Sequence, residues 1–250
     1  MHVAVLLKRV PDTTAKVRPN PDGRSIASQG VEFIVSPYDE IALERAIQLR
    51  EAGKAAKLTA VCLGPPEATK EVRKALAMGA DEGVLLVDDR PFRDPAATAE
   101  ALAAAVRELG ATLVLCGWKA MDDDSGVVGG YLAELLGFAY ASYAVKVDAE
   151  GAGLVVHREV EGSTEVLDVP LPAVVTVQKG LAEPRFASLK GIMAAKKKPL
   201  AEKPPAAAEN GSDLGSLALP PDRPPGRIVG EGTAAVAELV RILKEEVHVL

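Results

Sequence analysis

Short, mostly apolar runs alternate with longer amphipathic segments along the first two thirds of the chain. The segments carry apolar residues at helical spacing, and alternation of this kind is typical of βαβ units around a parallel sheet. One of the runs, Leu113–Cys116, is apolar throughout, which indicates a central strand covered on both faces. The strands predicted from these runs are His2–Leu7, Val31–Val35, Leu58–Leu63, Val84–Val87 and Leu113–Cys116.

Typical start and stop residues bound the predicted helices. Ser36 is expected to cap a helix whose first position is Pro37, because a serine hydroxyl accepts from exposed amides and proline's fixed φ suits the first turn. Asp39 and Glu40 favour the positive end of this helix, and Gly53 ends it. Further helices are predicted at 67–78, at 95–109 after a cap at Asp94, and from Ser125, after a loop at 118–124, up to Gly137.

The pattern changes after residue 137. Strands are predicted at Ala141–Val147, Leu154–Val160 and Val166–Val169, and Glu150–Gly153 is a hairpin signal between the first two. Ala173–Val177 is expected to be the strand that closes the sheet region of the chain. The fold class predicted is therefore α/β, with an open, mostly parallel, doubly wound, Rossmann-like sheet and an added β-hairpin region.

The composition shifts sharply between Lys196 and Arg227, to Lys, Pro, Ala, Glu and Gly. Such a segment buries little apolar surface, which predicts an extended arm. A final amphipathic helix is predicted at Thr233–Val247, and its apolar side has to dock on this chain or on a partner. The chain accordingly divides into an α/β domain at 1–190, a loop end and Pro-rich arm at 191–232, and a C-terminal amphipathic helix at 233–250.

Composition and charge narrow the class of protein. A hydrophobic fraction of 48% with 26% charged residues is that of a soluble globular protein. No apolar stretch approaches the ~20 residues of a membrane helix, and a net charge of -6 argues against general affinity for nucleic acid. Cys62 and Cys116 lie in apolar runs, which favours buried thiols over a disulfide or a metal pair. We therefore predict a cytoplasmic protein without a membrane span or a nucleic-acid partner.

The segment Gly117–Gly130 is the richest candidate for a binding site. Open parallel sheets bind ligands beyond the carboxyl ends of their strands, and this segment joins a buried strand to a helix. Exposed amides at a helix start favour a phosphate, Ser125 offers a hydroxyl, and the glycines allow close backbone approach. The same residues fit a plain alternative equally well, in which Asp124 or Ser125 caps the helix and the glycines pack it on the sheet.

The sequence gives little indication of a metal site or a catalytic site. Asp122, Asp123 and Asp124 are consecutive, so they do not converge readily on one metal ion, and Ser125 has no histidine partner. We predict no catalytic residue and no metal ligand. With 4 Tyr, 4 Phe and 1 Trp the chain has too few aromatic residues to stack a flavin by itself. The lysines at 196–198 are expected to form a solvated end.

Several segments, taken together, resemble electron transfer flavoprotein beta subunits. The most specific is Val156–Thr176, which is similar to a family signature that runs from a basic residue through acidic ones to Pro-Ala-Val-Val-Thr. Ser163 departs from it, where the family usually has glycine or an acid. Glu183–Lys198 resembles the family's recognition loop. Four more segments match in family order: Val3–Asp12, Ser36–Glu44, Ala75–Asp81 and Asp122–Ser125.

The resemblance implies an electron-carrier subunit that performs no bond-making step. It implies the adenine-nucleotide-binding form of the fold, with AMP bound structurally and with FAD held mainly on an alpha subunit, the heterodimer partner. Thr13 stands where some members carry a tyrosine near the flavin, and residues 126–128 replace more polar ones. The implied nucleotide site comprises Leu6, Ser36, Pro37, Tyr38, Asp39, Leu63, Gly117, Lys119, Met121, Asp122, Asp124, Ser125, Gly126, Val127 and Val128.

The resemblance also implies a docking surface. Leu189 matches the family's anchoring leucine, and with Ile192 and Met193 it is expected to bind acyl-CoA and related dehydrogenases, whose electrons pass through a quinone oxidoreductase to the respiratory chain. Burying one leucine contributes roughly 1.5 to 3 kcal/mol, which suits an anchor. From the residues alone, the favoured alternative is that these three side chains tuck onto their own domain.

Two other functions remain open at this point. In one, the chain is an electron-bifurcating beta subunit with a second FAD at the AMP site and NADH as donor. In the other, it is a stand-alone adenine-nucleotide-binding regulator or hydrolase on the same core. The arm and the terminal helix favour a subunit, because a stand-alone protein has little use for them.

Overall fold

The structure is a computed structural model that describes residues 1–223 and 225–250. Its strands are β1 (His2–Leu7), β2 (Arg9–Pro11), β3 (Phe33–Val35), β4 (Lys57–Gly64), β5 (Glu82–Val87), β6 (Leu113–Gly117), β7 (Ala139–Glu150), β8 (Gly153–Val160), β9 (Ser163–Pro170), β10 (Ala173–Val177) and β11 (Leu200–Lys203). Its helices are α1 (Pro37–Glu51), α2 (Thr69–Met78), α3 (Pro95–Leu109), α4 (Val128–Leu136), α5 (Leu189–Ala195) and α6 (Val236–Glu245), with short 3-10 turns at Pro66–Ala68 and Thr233–Ala235.

Within the described residues, nine strands form one sheet in the order β11-β5-β4-β1-β6-β10-β7-β8-β9. The pairs from β11 to β7 are parallel, and β8 and β9 add an antiparallel hairpin. The predicted fold class is confirmed. Strands β4 and β6 flank β1 on opposite sides, so the direction of strand addition reverses between β1 and β6.

The sheet buries both of its faces. Along β1, Val3, Val5 and Leu7 belong to the core under α1 and α2, whereas Ala4 and Leu6 belong to the core under α3 and α4. Successive side chains of a strand point to opposite faces, so an uninterrupted apolar run is what a strand between two helix layers requires. Full burial of each of the valines and leucines contributes about 1.5 to 3 kcal/mol.

The helix starts differ in how they are capped. Asp94 caps α3 as predicted, since its carboxylate accepts the N–H of Ala97 at 2.7 Å. Pro37 is the first residue of α1, also as predicted, but Ser36 makes no side-chain capping bond. Its backbone oxygen instead accepts from Asp39 and Glu40, while its hydroxyl is buried. The prediction of a Ser36 side-chain cap is therefore wrong.

Strand β10 lies in the middle of the sheet. Ala173–Val177 is predicted to close the sheet region, but one more strand of the sheet, β11, follows it in the chain. Strand β10 pairs with β6 on one side and β7 on the other. All five of its residues are buried, which fits a central position. Position in the sequence does not determine position in a sheet, and here the hairpin strands β8 and β9 extend outward beyond β7.

The predicted extended arm contains ordered structure. Residues Leu200–Lys203 form β11, which pairs in parallel with β5 at the sheet edge. Lys198 Nζ donates to the carbonyls of Leu76 and Ala80, at 2.8 and 2.6 Å, and so satisfies the end of α2. Burial lowers the pKa of Lys198. The expectation of a solvated lysine end is therefore wrong for Lys198, because helix α2 needs a donor there.

After β11 the arm passes the start of α3. The N–H groups of Gly211 and Ser212 donate to Asp94 Oδ2, at 2.6 and 2.9 Å, so one carboxylate both caps α3 and holds the arm. Further along, the N–H of Leu217 donates to the carbonyl of Gly23 at 2.7 Å. Backbone bonds to fixed partners order this segment without an apolar core of its own.

The chain divides into two compact units, residues 1–217 and residues 218–250. The second unit contains α6, which confirms the predicted terminal helix with shorter ends. Val236, Leu239 and Val240 of this helix are exposed, and Arg241 pairs with Glu238 across one turn at 2.7 Å. Among the residues that the structure describes, no helix has both the length and the apolar character needed to cross a bilayer.

Candidate functional site

The carboxylate of Asp39 joins the ends of β1 and β6, where the strand order reverses. Its Oδ2 accepts the N–H of Lys8 at 2.8 Å, and its Oδ1 accepts the N–H of Gly117 at 2.7 Å. Lys8 directly follows β1 and Gly117 ends β6, so one side chain in the first turn of α1 holds two neighbouring strand ends. Open α/β sheets bind ligands at this edge.

Asp39 is almost completely buried, and burial governs its charge state. Removal from water raises the pKa of Asp39 to about 7, against the two backbone N–H donors, which favour the carboxylate form. The group therefore titrates near neutral pH. Both of its oxygens are already engaged by backbone amides, so Asp39 fixes the geometry of the edge.

Lys8 ties the loop after β6 to the same edge. Its Nζ lies 2.8 Å from Asp122 Oδ1 and 2.8 Å from Asp123 Oδ2. Burial by itself would lower the pKa of Lys8, but the two carboxylates outweigh it and the pKa is raised. The ammonium group stays charged at neutral pH, and it closes the loop over the end of β1.

The loop from Trp118 to Val127 folds back on its own first residue. Asp124 and Gly126 have left-handed backbone conformations, with φ of 52° and 65°. A Cβ built on Gly126 would lie 3.8 Å from the ring of Trp118, so the returning chain passes over the indole. Lys119 Nζ lies 2.7 Å from Asp124 Oδ2 and 4.7 Å from the centre of the Trp118 ring.

Helix α4 begins later than the sequence predicts. Its first residue is Val128 and its N-cap position is Val127, so Ser125 and Gly126 precede the helix. Ser125 instead donates its N–H to Asp123 Oδ1 at 3.1 Å, within the loop. Neither Asp124 nor Ser125 caps α4, so the capping part of the plain alternative is wrong. The left-handed turn at Gly126 explains the delayed start, since a helix cannot pass through it.

Two glycines at this edge allow close approach of neighbouring elements. A Cβ on Gly117 would lie 2.6 Å from Tyr38 Cβ and 2.8 Å from Asp39 Oδ1. A Cβ on Gly129 would lie 2.3 Å from Thr176 Cγ2. The absent side chains let α1 approach β6 and let α4 pack on β10, which confirms the packing role expected for the glycines.

An aromatic cluster stands beside the loop. The ring of Trp118 lies 5.7 Å from that of Tyr38 and 4.9 Å from that of Tyr143, between ring centres. These distances are within the range of favourable aromatic pairs. The chain is poor in aromatic residues, yet three of them gather at the end of β6 and along β7.

Two buried polar atoms at this edge, Ser36 Oγ and Trp118 Nε1, have no hydrogen-bond partner among the described residues. Ser36 donates its N–H to the carbonyl of Lys8, so its hydroxyl lies beside the end of β1, and Trp118 directly follows β6. Proteins rarely leave buried polar groups unpaired, and such groups often mark functional sites. Two donors without a partner, a hydroxyl and an indole N–H, therefore lie at the edge where the strand order reverses.

The structure brings the predicted nucleotide-site residues to the carboxyl edge of β1, β4 and β6. Leu6 and Leu63 face the core under α3 and α4. Residues 36–39 form the start of α1, and residues 117–128 follow the end of β6. Met121 and Val127 are exposed, whereas Leu6, Ser36 and Asp39 are buried. Contact of these residues with a ligand stays a prediction.

The three predicted docking residues lie on or beside α5 and are exposed. Leu189 is 78% exposed, and Ile192 and Met193 are exposed as well. Phe186, just before the helix, is 98% exposed, which is unusual for a large apolar side chain. The alternative in which Leu189, Ile192 and Met193 tuck onto their own domain is therefore wrong.

Ion pairs and backbone bonds fix this surface at both ends. On one side, Arg185 pairs with Glu44 and Glu51 of α1, at 2.8 and 2.6 Å. On the other side, Arg73 of α2 donates to the carbonyl of Ala195 at 2.7 Å and so satisfies the end of α5. The exposed apolar side chains therefore stand on a rigid base.

Sequence reasoning missed two residues of these regions. Trp118 was passed over, although it directly follows a buried strand and is the single tryptophan of the chain. Phe186 was passed over beside Leu189, although an aromatic residue in a polar segment is a signal that could have been used. The partners of Arg185 on α1 are distant in the sequence, and no local pattern points to them.

The sheet order, the helices on both faces and the ligand edge at the reversal point define a Rossmann-like α/β protein. A family profile described as the electron transfer flavoprotein domain matches residues 24–208. This match covers well over half of the chain.

Relatives of known name agree with the profile. Over its full length the chain is 42% identical to "Electron transfer flavoprotein subunit beta" of Bradyrhizobium diazoefficiens, which is also covered in full. It is 38% identical to the protein of that name in Bacillus subtilis, with both chains covered in full. It is 37% identical to the human one, with 98% of this chain and 97% of the relative covered. The chain belongs to the electron transfer flavoprotein family.

Proposed function

We propose that this chain is the beta subunit of an electron transfer flavoprotein, which binds AMP structurally and performs no bond-making step. Its relatives carry the subunit name, and the family membership extends over the whole chain. In this proposal the chain pairs with an alpha subunit, helps to enclose FAD and docks dehydrogenases of the acyl-CoA type, whose electrons pass on toward the respiratory chain.

The reversal of strand order at the Asp39 clamp, in which the carboxylate of Asp39 accepts the N–H groups of Lys8 and Gly117, carries the proposal of a nucleotide site. Two buried polar atoms without a partner among the described residues lie beside it. Ser36 Oγ directly precedes α1, so a phosphate bound there also meets the positive end of that helix. Trp118 directly follows β6 and its Nε1 is a second donor without a partner among the described residues, and Lys119 adds a cation in the same loop. Asp39 contributes by positioning, since both of its oxygens accept backbone N–H groups.

FAD, when bound, accepts electrons from one partner and releases them to another, and we assign it mainly to the alpha subunit. This chain then contributes position and shielding. The cluster of Tyr38, Trp118 and Tyr143 lies next to the proposed nucleotide edge and offers an apolar wall there. A wall of this kind excludes water from a neighbouring cofactor.

Release and identification of bound nucleotides tests the site. The chain is co-expressed with a candidate alpha subunit, the complex is purified, and its cofactors are counted by mass spectrometry. We expect one AMP and one FAD for each heterodimer. Ser36→Ala should lower the AMP content, whereas Ser163→Ala, at an exposed serine of β9, should leave it unchanged.

Each other outcome has a defined meaning. Two FAD for each heterodimer, without AMP, would favour the electron-bifurcating subunit. Nucleotide hydrolysis by the purified chain that disappears in Ser125→Ala would favour a stand-alone hydrolase. Failure to form any complex with alpha subunits would reject the proposal.

The exposed apolar side chains around α5 support the docking part of the proposal. Leu189 and Phe186 project from a base that Arg185 and Arg73 hold in place, so docking costs little ordering. Leu189→Ala should leave the cofactor content unchanged and raise the KM for a dehydrogenase donor. Val166→Ala, at an exposed valine of β9, is the matched control. An unchanged KM in Leu189→Ala would remove the docking claim.

We further propose a cytoplasmic location. Cys62 and Cys116 are both buried as free thiols, and burial raises the pKa of Cys62 to about 12. Unpaired thiols are typical of reducing compartments. Fractionation of cells that express the chain from its own gene should recover it with cytoplasmic markers, and recovery with another compartment would contradict this.

A further inference from the structure

Helix α4 exposes a stripe of large apolar side chains. Val127, Tyr131 and Leu135 follow one another at four-residue spacing, so they lie on one side of the helix, and all three are exposed. Tyr131 is 49% exposed. The opposite side of α4 carries Leu132 and Ala133, which are buried in the core under α3 and α4. The exposed stripe therefore does not contribute to the core of this chain.

Strand β7 continues this apolar surface. Tyr140 and Tyr143 are 42% and 41% exposed, and the ring of Tyr140 lies over α4, 3.7 Å from the Cβ position of Gly130. Between Tyr140, Tyr131 and Val127 lies a groove of about 380 Å³. The glycine at 130 leaves room for the ring, so the strand and the helix line one groove, whose apolar wall is interrupted by Glu134.

We propose that this surface, the tyrosine face formed by Val127, Tyr131, Leu135, Tyr140 and Tyr143, is where the alpha subunit binds. The inference rests on the proposed function, since it names the surface used by that partner. Three of the chain's four tyrosines lie here. Tyrosine is enriched at protein interfaces, and contiguous exposed apolar surface of this kind marks interaction sites.

Continuity with the nucleotide edge identifies the alpha subunit as the occupant. Val127 ends the loop that follows β6, and Tyr143 contacts Trp118 of the same loop, with ring centres 4.9 Å apart. A partner that brings a flavin to this edge has to cover surface next to the loop. The tyrosine face is the apolar surface that adjoins it.

The surface around α5 suits a different partner. It consists of a few apolar side chains that project from a fixed base, and Leu189 stands furthest out on the helix. Projecting side chains suit brief docking, whereas a permanent subunit interface buries aromatic anchors in grooves. The two surfaces therefore serve two partners, and the groove beside Tyr131 assigns the tyrosine face to the permanent one.

Two charge substitutions test the assignment in the complex. The full chain, as wild type, Tyr131→Arg or Leu135→Arg, is titrated with the alpha subunit by calorimetry. Both side chains are already exposed, so the fold should tolerate them, which circular dichroism and the emission of Trp118 check. We expect each variant to weaken assembly by about tenfold or more, because a buried charge replaces an apolar anchor. Leu189→Arg, on the other surface, should assemble like wild type.

The outcomes separate this inference from the proposed function. Wild-type affinity in Tyr131→Arg and Leu135→Arg overturns the assignment of the tyrosine face and leaves the subunit function intact. Absence of assembly in the wild type rejects both. If light scattering shows that the chain alone is a dimer that Tyr131→Arg dissociates, a second copy covers the face and the assignment to the alpha subunit is wrong.

Discussion

Asp39→Asn should change the pH dependence of stability in a defined direction. Asp39 has an ordinary pKa of 3.8 in the unfolded chain and a pKa of about 7 in the folded one, because burial opposes its ionisation. Between these values the folded state binds more protons than the unfolded state. The free energy of unfolding contributed by this group is therefore highest below about pH 4 and decreases as the pH rises to about 7.

The size of this effect follows from the pKa values. A rise from 3.8 to about 7 corresponds to roughly 4 kcal/mol, at about 1.36 kcal/mol for each pH unit. Asparagine carries no charge at any of these pH values, so this contribution disappears in the variant. Asparagine also has one acceptor oxygen, so either Lys8 N–H or Gly117 N–H loses its partner, which costs about 1 to 3 kcal/mol at every pH.

Urea unfolding of both proteins at several pH values between 5 and 8 measures the difference. We expect Asp39→Asn to be the less stable protein at pH 5 and to approach or exceed the wild type at pH 8. Thr164→Asn, at an exposed position of β9, changes no titratable group and is a control whose curve should run parallel to that of the wild type. Parallel curves for Asp39→Asn and wild type would refute the claim that burial governs this carboxylate.

Three further predictions concern a packing contact, a pair of hydrogen bonds and an ion pair. Gly117→Ala should destabilise the fold by about 1 to 3 kcal/mol, because its Cβ would meet Tyr38 at 2.6 Å, and thermal unfolding would show it. Lys198→Met should lower the free energy of unfolding by about 1 to 3 kcal/mol, because the hydrogen bonds to the end of α2 are lost. Lys197→Met is the control and should have no such effect. Equal midpoints of urea unfolding for the two variants would contradict this prediction. Arg185→Leu should speed hydrogen exchange around α5 and raise the KM for a dehydrogenase donor, since Glu44 loses its partner. Unchanged exchange would show that other contacts fix the segment.

Local sequence patterns were enough to predict the layers of this fold. Uninterrupted apolar runs such as Leu113–Cys116 require cover on both faces, and the segments between them carry helical spacing with marked starts at Pro37 and Asp94. These are local properties, which each segment expresses in its own residues. The same pattern predicts a ligand site at the carboxyl edge of the sheet, because parallel strands end together there.

Features that arise from contacts between distant parts of the chain were not predictable from local patterns. Three features depend on contacts between residues far apart in the sequence. They are the central position of β10, the pairing of β11 with β5, and the ion pair of Arg185 with Glu44. The Asp39 clamp, whose burial sets its pKa near 7, also depends on such contacts. The chain has few aromatic residues, and only the structure shows that Tyr38, Trp118 and Tyr143 pack together at one edge of the sheet. Burial, pairing and clustering are properties of the assembled chain, so no local pattern could supply them.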